Sequence, residues 1–423
     1  MPQIRRTSFA RLTQKDLSAA IARHEMLYSG RMGGARAVFA FCDLSGLDLS
    51  GRNLCDADFT GAVLEEANLS GARVDSASFF GADLRRANLS GASIRRADLR
   101  GACLRGANLI GADLYEADLR EGTIAEKDKF GELRVLQHDL GPSEIENAML
   151  NSANLERAKL AGAVAIQADF TDAMMKGCKL VRANVRQASF AGANLENADL
   201  SSSDLSGANF SGAVLIGTCL TMAVLQGANM TGVLTDAASG KQPADLDVPI
   251  EDLLRQHAQW AETSGREGRP ADLTRMDLRR LQALSHRVLT ALIAPGANLY
   301  GVDLEGVSLQ GSNLQDADLR SAKLSGADLR GINLSGAKLN HADLRDAKLG
   351  PLVISGSRLL PARLDQAVAR YADFRGADLS RANLSAADLS YSNLIDANLR
   401  GSNSADADLT GAKLDRAPAA GVA

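Results

Sequence analysis

The chain has 423 residues, 45% hydrophobic and 23% charged, with a net charge of −4. Such a chain can bury a core, and it lacks the basic balance expected of a nucleic-acid-binding domain. Aromatic residues are only 4% of the total, so leucine and alanine must fill that core.

No apolar run approaches the ~18 residues of a membrane span, and the opening stretch Met1-Pro2-Gln3-Ile4-Arg5-Arg6 leads into no apolar leader segment. A cytoplasmic location is the expectation. The cysteines, Cys42, Cys55, Cys103, Cys178 and Cys219, form no C-x-x-C pair and have no histidine at ligand spacing. Reduced thiols fit better than zinc or a disulfide framework.

Residues 1–38 are read as an N-terminal cap and entry. Thr13 and Asp16 form a capping pair, and Leu17, Ala20, Ile21, His24, Leu27 and Tyr28 make one helical stripe. Ser29-Gly30-Arg31 and Gly33 follow.

From Phe39 an apolar residue returns at every fifth position, through Leu44, Leu49, Leu54, Phe59 and onward to Ile124. Alanine usually sits two residues before it, and Asp, Asn or Ser one before. In an extended segment alternate side chains share a face. Alanine and leucine therefore point inward, the polar residue points outward, and the last two residues turn the chain.

A helix needs apolar spacings of three and four, and a plain strand needs two. Five describes a short strand and a corner. Asn68, Asn88 and Asn108 recur at twenty, as do Asn313 and Asn333, so four sides close one coil.

The register slips at about 125–144, a polar segment in which Gly131 could turn a small hairpin, read as a loop protruding from one face. It resumes over 145–230 and completes a first solenoid spanning 39–235. The stretch from 236 to 272 is read as linker and second cap helix. Asp247 is the expected N-cap of a helix to Glu262, and Ile250, Leu253, Leu254, His257, Trp260 and Ala261 share a face.

Ser264-Gly265-Arg266 and Gly268 repeat the earlier Ser-Gly-Arg-x-Gly, which makes the chain two tandem copies of cap helix plus solenoid. The second solenoid spans 273–423, with a strict register from 299 to 414. That register is expected to run unbroken through Pro351 to Pro361, with Ile354 and Leu359 inward.

Runs such as Ala82-Asp83-Leu84-Arg85, Gly91-Ala92-Ser93-Ile94, Gly111-Ala112-Asp113-Leu114 and Gly326-Ala327-Asp328-Leu329 resemble pentapeptide-repeat proteins. The resemblance covers most of the chain. It implies an all-β solenoid, a right-handed quadrilateral β-helix of pentapeptide repeats, here with two short amphipathic capping helices.

No catalytic, cofactor-binding or metal residue is assigned, and no cofactor or small-molecule substrate is expected. His24 and His257 hold equivalent places on the two stripes and are read as half-buried cap residues. The remaining histidines, His138, His286 and His341, are paired by the register with no serine that could act as a nucleophile. Stacked Asp residues stand one per side, short of the oxygens that calcium needs.

The cluster Arg85, Arg86, Arg95, Arg96, Arg100 and Arg105 reads as a charge ladder, compensated twenty residues away by Glu65, Glu66 and Glu116. Only Arg100 over Arg120 is left uncompensated in that reading. Asp303, Lys323, Asp343 and Arg363 are expected to stack with alternating sign.

The resemblance also brings an alternative function. Fluoroquinolone-resistance members of the family mimic B-DNA and bind DNA gyrase, a type II topoisomerase. Duplex DNA carries one charge per ~1.7 Å of axis, and a mimic needs a persistent acidic stripe. Between 39 and 124 thirteen acids oppose nine bases, so arginines interrupt any such stripe.

The reading is therefore a non-enzymatic bacterial scaffold or protein-binding module that presents flat ladders to a protein partner. Direct nucleic-acid binding and a membrane span are not expected.

Overall fold

A computed structural model describes residues 9–122, 125–127, 133–135, 142–281 and 284–415. The chain divides into two compact units, Met1–Ala237 and Ala238–Ala423.

In the first unit, consecutive coils bridge in parallel at twenty-residue steps, as Val38 to Asp58 and Asp58 to Ser78. Between stacked coils the inward residue donates its N–H to the next coil and the outward residue donates back: Leu49 N–H reaches Asn68 O at 2.7 Å, and Asn68 N–H reaches Leu47 O at 2.9 Å. The backbone is thus satisfied without long strands.

Most described sides end in a β-turn. At one corner Ala57 N–H donates to Leu54 O at 3.1 Å while Asp56 takes φ +59°. Positive φ at the third turn residue favours glycine. Gly51 and Gly61 comply, yet Glu66, Arg86 and Arg96 hold the same conformation, at about 1–2 kcal/mol each.

The core is a column of leucines on alanines, all essentially inaccessible. Phe39, Phe59 and Phe79 stack with centroids 5.2 and 4.7 Å apart, and Phe170, Phe190 and Phe210 at 5.0 and 4.9 Å. Those separations approximate the ~4.8 Å rise between paired strands, so one aromatic per coil on one side gives an unbroken stack.

An uncovered first coil would leave strand edges open. Strand β1 (Ala10–Arg11) pairs in parallel with β2 (Cys42–Asp43). Helix α1 (Gln14–Tyr28) then crosses the end, buries Leu17, Ile21 and His24, and starts at Thr13 with Asp16 completing the capping box. The Gln14 amide accepts from Asp48 N–H and donates to Asp48 O, both at 2.9 Å, standing in for a missing coil. Leu27 and Tyr28, placed on the stripe by periodicity, are nearly half exposed.

At the register slip, β3 (Ala125–Lys127) and β4 (Leu133–Val135) form an antiparallel hairpin. Gly131 and His138 lie outside the described residues. Coil stacking continues across the insertion, with Cys103 bridging Glu144 and Leu104 N–H donating to Glu144 O at 2.7 Å. Ser143, fully buried at an inward alanine position, accepts from Gly101 N–H and reaches the carbonyls of Leu99 and Arg120 at 3.1 and 3.0 Å.

The second unit opens with a 3-10 turn at Pro243–Asp245, followed by α2 (Ile250–Glu262), which buries Leu253, Leu254 and His257. The expected N-cap Asp247 is not used: the helix begins three residues later with Pro249 at the cap and no side-chain bond there. Proline supplies no N–H and disfavours helical geometry in the residue before it, which moves the start past Asp247 and Val248.

Coils begin at Leu273, earlier than the strict register suggests. Asp272 bridges Ile293 and Asp277 bridges Asn298 at twenty-one, because one extra residue separates Leu278 from Leu284.

The register does not run through Pro351 to Pro361. Strands β5 (Leu352–Ser355) and β6 (Arg358–Leu360) form an antiparallel hairpin outside the coil, with Ile354 and Leu359 outward at 52% and 37% exposure. Across it the bridges step by thirty, Asn333 to Arg363 and Lys348 to Asp378. The insert is ten residues long, a multiple of five, so spacing alone could not reveal it. Asp343 consequently stacks on Asp373 and not on Arg363.

Candidate interaction surfaces

The outward residue of each unit is tied to its own corner. Asp48 Oδ1 accepts Ser50 N–H at 3.0 Å, Asn68 Oδ1 accepts Ser70 N–H at 3.2 Å, and Asn154 Oδ1 accepts Glu156 N–H at 3.1 Å. These Asx turns explain why Asp or Asn precedes the inward leucine. Neighbouring coils join them into ladders, Asn68 donating to Asp48 at 3.0 Å and Asn88 to Asn68 at 3.2 Å.

Where the residue after leucine is arginine, it lies on the outward side with the aspartate two positions earlier. The guanidinium closes onto that carboxylate through both nitrogens: Arg100 on Asp98 at 2.8 and 2.7 Å, Arg120 on Asp118 at 2.9 and 2.7 Å, Arg345 on Asp343 at 2.8 and 2.6 Å. Two parallel charge-assisted bonds are the strong form of this pairing. Arg100 and Arg120 are therefore compensated within their own units, contrary to the stacking argument. The signal was the Asp-Leu-Arg triplet, which a ladder read only at twenty overlooks.

The Arg345 side-chain bond is the main reason that the Asp343 carboxyl is held below its usual range. Burial alone would raise Asp277, but Arg279 and the N–H groups of Ser239 and Arg279 lower it strongly. Ladder pairs form where stacking placed them, with Arg85 to Glu65 at 3.3 Å, Arg86 to Glu66 at 3.0 Å and Arg96 to Glu116 at 3.2 Å. Arg105 instead meets Glu144 and Glu146 beyond the insertion, at 3.0 and 3.1 Å.

An open depression of about 530 Å³ lies on this face. Arg96 and Arg157 flank Glu116 there, beside Asp98, Asp118 and Lys159. Both signs line its floor, so it focuses no single-sign field.

The cap histidines are fully buried, where half-burial was expected. His24 Nδ1 accepts Ala37 N–H at 3.0 Å and His257 Nδ1 accepts Ala271 N–H at 3.1 Å, each alanine standing two before the first inward residue. Burial lowers both pKa values, opposed by nearby backbone carbonyls, Cys55 for His24 and Leu289 and Thr290 for His257. These imidazoles fasten helix to coil. His286 lies against Gly306, and His341 stacks on Tyr371 at 5.3 Å. Burial pushes the Cys103 thiol up to about 11, which removes thiolate character at neutral pH.

Short outward ladders, paired charges and a four-sided leucine column define a right-handed quadrilateral β-helix of five-residue units. The pentapeptide-repeat profile matches eight segments, 42–81, 82–121, 148–187, 193–232, 297–336, 312–350, 354–385 and 387–418, and the chain belongs to the pentapeptide-repeat family.

Among solved structures it is similar to HetL, a pentapeptide repeat protein involved in heterocyst differentiation regulation from Nostoc sp. strain PCC 7120. The two are 24% identical over 93% of this chain and 94% of that one, with a TM-score of 0.17. A trypsin-treated form of QnrB1, a plasmid-mediated fluoroquinolone resistance protein, is 18% identical over 48% of this chain and 92% of that one, with a TM-score of 0.29. A pentapeptide repeat protein of the Arabidopsis thaliana thylakoid lumen is 32% identical over 22% of this chain and 83% of that one, with a TM-score of 0.15. No curated protein sequence matches the chain.

Proposed function

We propose that this chain is a non-enzymatic binding scaffold of the bacterial cytoplasm, whose outward ladders are read by a protein partner over several coils. The observation carrying this reading is the fixed guanidinium–carboxylate fork recurring along the faces, as at Asp328–Arg330, Asp343–Arg345 and Asp373–Arg375. Paired groups on a closed backbone are pre-organised, so a partner orders little on binding. The same pairing counts against a topoisomerase-directed DNA mimic, because arginines neutralise the carboxylates such a mimic must leave free.

The test is capture from native cells with wild-type chain and with an Arg330→Glu/Arg345→Glu variant. A saturable protein partner lost from the variant supports the scaffold. Turnover of a small molecule by the purified chain, or partner binding indifferent to every ladder substitution, overturns it.

A further inference from the structure

The β5–β6 hairpin adds nothing to the coil. Its root is seated: Leu352 and Leu360 lie over Gly331, where an added Cβ would come within 2.8 and 3.1 Å of them, and Leu352 also reaches Gly311. The bare glycines leave room for the two leucines, which pack there against the coil face.

The exposed part of the hairpin is apolar. Val353 is 63% exposed, Ile354 52%, and Leu359 and Leu360 37% each. Arg358 is the only charged residue from 350 to 361. Pairing joins Leu352 to Leu360, Val353 to Leu359 and Ser355 to Arg358, which leaves Ile354 as a bulge without a cross-strand partner. A two-stranded hairpin also has two open edges, each a template for a further strand. Natural edges are blunted by charge or proline; here both prolines stand outside the strands, at Pro351 and Pro361.

The size of the patch selects the occupant. Four such side chains offer a few hundred Å², short of the ~800 Å² each partner of a stable protein complex buries. A single extended segment fits that area, gaining main-chain bonds from an edge and side-chain contacts from alternate residues.

We infer that the 352–360 hairpin is a docking edge for an extended apolar segment of a partner protein, which adds as a strand beside Leu352–Ser355. The inference rests on the scaffold reading and places part of its recognition on an insert.

The test uses the full chain and a labelled peptide of alternating valine and threonine, read by fluorescence anisotropy, against wild type and Val353→Ser/Ile354→Ser. Both substituted side chains are exposed, and an unchanged melting curve confirms the fold. Saturable binding that weakens by about tenfold or more in the variant is the expected result. No binding, or equal binding to both chains, overturns the docking edge. So does a concentration-dependent dimer in sedimentation that the variant abolishes, because the occupant is then a second copy. Native-cell capture separates the two claims: a partner retained by the hairpin variant but lost by the Arg330→Glu/Arg345→Glu variant removes the docking edge and leaves the scaffold standing.

Discussion

Lowering the pH from 8 to 5 should loosen each cap through its buried histidine. In the folded state His257 Nδ1 must stay unprotonated to accept Ala271 N–H, and burial lowers its pKa below the free value of 6.5. The unfolded chain binds that proton first. The stabilisation is therefore fully present above pH 6.5 and is lost as pH falls from 6.5 towards the folded pKa. One proton limits the slope to about 1.4 kcal/mol per pH unit.

His24 behaves alike, with burial lowering it, Cys55 O, Asp56 and Glu25 opposing and Arg36 reinforcing. Trp260, the only tryptophan, has its ring 5.7 Å from His257 and reports the second cap directly. Denaturant titrations followed by Trp260 fluorescence should show midpoints falling below pH 6.5. In His257→Leu that fall should flatten, while at pH 7.5 the orphaned Ala271 N–H costs about 1–3 kcal/mol. A Trp260 transition indifferent to pH between 6.5 and 5, or a slope surviving in His257→Leu, refutes the fastening role.

Gly268→Ala should destabilise the second unit by more than about 2 kcal/mol, since its Cβ would meet Gln256 O at 2.1 Å at φ +77°. Gly30→Ala, with φ +67° and nothing within 4 Å, should cost only the ~1–2 kcal/mol of left-handed backbone; thermal melts compare the two. Phe190→Ala opens the middle of a three-ring stack and should cost about 3–5 kcal/mol, read as a lower midpoint of the first unit. Asp277, held low by Arg279, contributes stability above pH 3.8 that is lost as pH falls through its folded pKa; Asp277→Asn should remove that acid limb. A gyrase supercoiling assay, with and without quinolone, should be unaffected at micromolar protein, and inhibition or protection there would contradict the paired-charge argument.

Much of the fold was legible because each unit carries its own instruction. Alanine inward, Asx to hold the corner, leucine inward and a residue tolerant of positive φ are all local requirements. The twin helices were legible for the same reason, from stripe and loop. The exposure of Leu27 and the start of α2 at Ile250 were not: one depends on how far the helix overlaps the coil, the other on Pro249 overriding Asp247.

The faces were less legible. Stacking by twenty found Arg85–Glu65 and Arg96–Glu116, yet it missed the forks at Asp98–Arg100 and Asp118–Arg120, because a guanidinium reaches its own unit's carboxylate before a neighbour's.

By itself the sequence determined the five-residue side, the four-sided coil and the composition of its core, since these follow from side-chain alternation and turn chemistry over short spans. Only the tertiary structure decided where the chain leaves that pattern. An insert of ten residues preserves a period of five, so whether Ile354 and Leu359 lie inside a coil or on an exposed edge turns on which segment the neighbouring coil pairs with.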